Sequence, residues 1–107
     1  MTNENEMNLG DISKMETVTA SLVHVLEKEL CEVKVKFAEI RKEILKLRSL
    51  LPAGVDVEMD DTIKMMERVS KNLLDRENHL LHETANARIA LTTWEKRRKE
   101  AVSKLYL

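Results

Sequence analysis

The chain has 107 residues, of which 35% are charged, with one Trp, one Tyr, one Phe, two Gly and one Pro. That composition has too little punctuation for strands and tight turns, and it leaves long helices as the way to form structure. With 18 basic and 19 acidic residues the net charge is −1, so the whole-molecule field draws the chain to neither nucleic acid nor an anionic membrane.

Taken in chain order, residues 1–11 are polar, acidic and free of periodicity, and they read as a disordered tail ahead of a helical region over 12–107. The first helix is predicted over about 13–51. Ser13-Lys14-Met15-Glu16 has the form of a capping box, in which Ser13 accepts from the Glu16 amide, with Asp11 as an alternative cap. From Val23 the apolar positions step by three and four through Leu26, Leu30, Val33, Phe37, Ile40, Ile44, Leu47 and Leu51. This is a heptad seam with Val23, Leu30, Phe37, Ile44 and Leu51 at a. Upstream, Met15, Val18, Leu22 and Val25 run one position off this line, as a local stutter or a second contact face would produce. Glu27, Lys34, Arg41 and Arg48 fall at e, and Glu29, Lys36 and Glu43 at g, where charges choose partner and orientation.

Pro52 disfavours helix in the residue before it and Gly54 follows, so a turn is expected over 52–58. Asp56 or Asp60 is positioned to cap a second helix over about 59–106, with the neighbouring carboxylates complementing its dipole. Its seam is less clean. Ser70, Glu77, Thr84 and Arg98 occupy a, while Val69, Leu74, Leu81, Ile89 and Val102 lie off the a/d line. A helix wedged between several neighbours has this pattern, and breaks near 72–78 or 84–86 are two places where it would interrupt. A short connection favours an antiparallel pairing, which sets Phe37 near Leu73 and Val23 near Ala87. The expected fold is all-α: a long antiparallel helical hairpin, or coiled coil, completed into a bundle by self-association or by partner helices.

Chemistry is sparse. Cys31, His79 and His82 are of the ligand types zinc accepts, but they fall at b, c and f, away from the shared seam, so no metal site is expected. A chain with two glycines holds neither a P-loop nor a nucleophile elbow, and a thin hairpin offers no enclosed pocket in which to tune a carboxylate. Neither catalytic residues, a cofactor nor a small-molecule substrate is expected, and the chain does not read as an enzyme. The lone Cys31 and the polar start, without a basic region and apolar run, point to an intracellular setting, cytoplasmic or nuclear. No apolar stretch approaches the ~20 residues of a membrane span.

Two groups remain as candidate sites. The apolar residues Val18, Leu22, Val25, Leu74, Leu81, Ile89, Trp94 and Val102 are candidates for a partner interface, since a two-stranded seam cannot cover them all. Arg88, Lys96, Arg97, Arg98, Lys99 and Lys104 form a basic patch, read either as cations suited to a helix C-terminus or as a foothold for an acidic partner surface. In outline the chain is similar to small helical subunits of cytoskeletal, kinetochore or spindle, and tethering complexes. That likeness implies a structural or adaptor subunit working by coiled-coil packing with protein partners, through self-association or a heteromeric complex. A small helical chaperone or sequestering cofactor is the alternative. Nucleic-acid binding through the basic patch is weakened by the lack of stacking aromatics beyond Trp94 and Tyr106.

Overall fold

The computed structural model describes residues 7–50 and 57–106. They form two helices, α1 (Leu9–Leu50) and α2 (Val57–Leu105), that pack against each other as an antiparallel hairpin, with no strand among the described residues. The antiparallel sense is visible in the ion pairs that cross the seam. Glu16, Glu27, Glu29 and Arg48 of α1 meet Arg98, Arg88, Arg76 and Glu67 of α2, so that rising numbers on one helix face falling numbers on the other.

The start of α1 corrects the capping expectation. Asn8 is the cap: its Oδ1 accepts from the Asp11 amide at 2.8 Å, and its carbonyl accepts from the Ile12 amide at 3.1 Å. The segment from Leu9 to Asp11 is therefore helical and not tail, and Ser13 lies inside the helix, where its carbonyl accepts from the Thr17 hydroxyl at 2.9 Å. Asn8 and Asp11 hold the positions of a cap and its acidic third residue. Gly10 sits in the first turn, where an added Cβ would come within 3.2 Å of Asn8 Oδ1. A glycine there leaves the capping side chain its space.

The second helix begins at Val57, so Asp60 lies in its first turn with Glu58 and does not cap it. The turn expected over 52–58 is therefore too long at its end, since Val57 and Glu58 are already helical. Leu51, Asp56 and the rest of the expected turn, 52–56, fall outside the described residues, as do residues 1–6. No break interrupts α2 at 72–78 or 84–86. Neither Gly nor Pro occurs within it, and the tertiary seam holds the dirtier stretch in helical register.

Among the described residues every buried one falls on a or d of one heptad frame per helix: Ile12, Thr19, Val23, Leu26, Val33 and Ile44 in α1, and Ile63, Ser70, Leu80, Thr84 and Ala87 in α2. The stutter is thus absent. The seam of α1 runs on upstream in the same frame through Thr19 and Ile12, leaving Met15, Val18, Leu22 and Val25 as a separate exposed stripe. Phe37 at the middle of the seam is only half-buried, while Ile44 and Leu80 are 1% and 0% exposed and form its tightest points. Burying each such side chain contributes about 1.5–3 kcal/mol relative to leaving it in water.

The described residues divide into two compact units. The first unit joins the part of α1 through Glu27 to the part of α2 from His82; the second is Lys28–Leu81. Within the second, Leu73 lines a groove with Lys36, Glu39, Ile40, Glu43 and Val69, on either side of Phe37, in keeping with the expected pairing. Within the first, Ala87 shares a groove with Leu22 and Leu26, which brackets the expected partner Val23.

Candidate functional site

The flanking charges follow the rule for antiparallel helices, in which like-lettered flanks face each other. In the second unit Arg48 and Glu67 pair from e to e, and Arg76 and Glu29 pair from g to g. In the first unit Arg88 and Glu27 pair from e to e, with the guanidinium Nε donating to the carboxylate at 3.0 Å. Arg98 and Glu16 meet at two a positions, 2.5 Å apart and partly buried, so a charged pair stands in the seam itself. Exposed pairs of this kind are worth ~1 kcal/mol or less in stability. Their larger effect is to forbid the wrong register.

These pairs use up part of the basic patch. Arg88 and Arg98 are held by carboxylates, and Arg97 lies over the Trp94 ring with its guanidinium carbon 4.9 Å from the centroid. Lys96, Lys99 and Lys104 remain as cations that form no ion pair among the described residues. Elsewhere Lys64 lies 3.0 Å from Asp60 one turn before it, and the hydrogen bond from its amine to that carboxylate raises the amine above its ordinary value.

The apolar candidates separate into distinct groups. In the first unit Val18, Leu22 and Val25 are 62%, 50% and 58% exposed, and with Met15 they follow one stripe of α1 at c and g. Leu22 also forms one wall of the groove shared with Leu26 and Ala87, so the stripe continues into a concave surface. A second groove of the same unit is lined by Ala20, His24, Val25 and Leu91 and rimmed by Glu16 and Glu95. Ile89 stands by itself at f, 66% exposed. Trp94 and Val102 are half-buried against the hairpin. In the second unit Leu74 and Leu81 lie one heptad apart in the e column of α2, 40% and 44% exposed.

The chain matches no protein-family model, no curated protein and no solved structure.

Among the described residues no group of three or more His, Cys, Asp or Glu is placed to hold a metal ion, and no helix is long and apolar enough to cross a membrane. Cys31 is an exposed free thiol at b. Sequence reasoning missed the buried Ile12 and Thr19. Both lie on the a/d frame extended back from Val23, so a strict count by sevens is the signal that finds them. Thr19 enters the seam at little cost because its hydroxyl donates to the Met15 carbonyl at 2.7 Å.

Proposed function

We propose that this chain is a structural or adaptor subunit that joins other helical proteins by packing its exposed apolar stripes against partner helices. The supporting observation is the stripe of Met15, Val18, Leu22 and Val25. Four apolar side chains at three- and four-residue spacing lie outside the hairpin's own seam and open into the Leu22, Leu26 and Ala87 groove. Scattered surface leucines need no explanation, but an ordered stripe beside a groove has the form in which one helix receives another. The chain's own seam already holds the hairpin, so the stripe is surplus to folding.

The test is a photoreactive side chain placed at position 22 in the native cell. It should form a discrete adduct with a helical segment, either of a second copy or of another protein. Leu22→Glu with Val25→Glu should remove the equivalent adduct, read from a photoreactive group at position 18, while the far-ultraviolet circular dichroism stays unchanged. A chain that sediments as a monomer at micromolar concentration and gives no adduct at either position would overturn this function.

A further inference from the structure

The e flanks of the second unit carry an imbalance that points to the chemistry of a partner. Counting from the Arg48 to Glu67 ion pair, one heptad along the antiparallel register sets Arg41 opposite Leu74, and the next sets Lys34 opposite Leu81. Where the end of this e flank carries guanidinium and carboxylate, these two steps carry a cation and a leucine. Lys34 and Arg41 are exposed and form no ion pair among the described residues. Their own helix does not supply carboxylates either. The neighbours three and four residues away are Leu30, Cys31, Phe37 and Ala38 for Lys34, and Phe37, Ala38, Ile44 and Leu45 for Arg41. Glu77, between the two leucines, is half-buried at a and pairs with neither cation.

We infer that this face receives an acidic amphipathic helix, whose leucine-type side chains cover Leu74 and Leu81 and whose carboxylates, one heptad apart, pair with Lys34 and Arg41. The inference rests on the subunit reading above and names the partner's chemistry at a second face. Charge complementarity also argues against a second copy of the chain lying two-fold on this face, because that would bring Lys34 and Arg41 toward their own equivalents. Complementary flanks set partner choice in helix pairing, and like charges across such an interface oppose it.

The experiment uses the full chain and two synthetic three-heptad helices with the same leucine stripe, one flanked by glutamates and one by lysines, with binding read by fluorescence anisotropy. The glutamate helix should bind saturably, and the lysine helix roughly tenfold or more weakly. Lys34→Glu with Arg41→Glu should invert that preference, and Lys34→Gln with Arg41→Gln should abolish it. Both positions are exposed, and circular dichroism checks that the fold is kept. Leu74→Ala with Leu81→Ala should remove binding of either helix.

Equal affinity for the two helices, or a preference that charge reversal leaves in place, overturns the inference. So does salt-sensitive binding that survives loss of both leucines, which would make the face a polyanion site. A dimer broken by Leu74→Glu with Leu81→Glu and indifferent to Lys34 and Arg41 would assign the face to a second copy. Failure of both helices to bind, with the adducts at positions 18 and 22 retained, overturns this inference alone. Loss of those adducts while the glutamate helix still binds in the expected order overturns the stripe reading and leaves this face standing.

Discussion

Replacing Leu80 by alanine removes the side chain that lies deepest in the seam, at 0% exposure. A buried Leu→Ala substitution loses the transfer free energy of the removed carbons and leaves a cavity, for a total of about 2–5 kcal/mol. A two-helix seam can close partly around the gap, which places the expected loss at about 3 kcal/mol. A chain of this length has about 5–15 kcal/mol of stability in all. At ~4–8 °C per kcal/mol the thermal midpoint should fall by about 12–24 °C, with the helical signal at low temperature unchanged. Thermal and urea unfolding followed by far-ultraviolet circular dichroism reads both quantities. Phe37→Ala serves as the intermediate reference. Its mid-seam position alone suggests a loss of ~3 kcal/mol, but half-burial reduces that to about 2. Ile89→Ala is the exposed reference, expected within about 0.5 kcal/mol of the parent. A Leu80→Ala midpoint within about 4 °C of the parent, or no lower than that of Ile89→Ala, would refute the assignment of Leu80 to the seam.

Asn8→Ala should destabilise the first turn by about 1 kcal/mol and speed hydrogen exchange at the Asp11 amide, whereas Ser13→Ala should change neither; equal effects would restore Ser13 as the cap. Glu27→Arg and Arg88→Glu should each destabilise the hairpin by about 0.5–1 kcal/mol, and the double swap should recover most of the loss, with the differences shrinking in high salt. A double swap no better than the sum of its parts would remove this e-to-e pairing from the register.

Much of the fold is legible in the spacing of residues, because a heptad frame and a single Pro-Gly break leave a helical chain few arrangements. The seam over Val23, Leu26, Val33 and Ile44, the partner line through Ile63, Leu80 and Ala87, and the polar a positions Ser70 and Thr84 can all be read this way. Propensity and periodicity are properties of neighbours in sequence, and a long helix is made of such neighbours. Which end residue caps α1 is not legible, because Asn8, Asp11 and Ser13 all have capping side chains and only the backbone path chooses among them.

The candidate sites divide along the same line. Composition and spacing determine that more apolar surface exists than one seam can cover, and they name Val18, Leu22, Val25, Leu74 and Leu81 as its members. Only the tertiary structure decides that Trp94 and Val102 are half-buried, that Arg88 and Arg98 are held by carboxylates, and that the register counted from the Arg48 to Glu67 pair sets Lys34 and Arg41 opposite leucines. The physical reason is that a residue's spare bonding capacity depends on what the other helix sets across from it. That is fixed by the register between helices whose facing residues are distant in sequence, which a heptad pattern permits in several steps of seven and which the cross-seam ion pairs narrow to one.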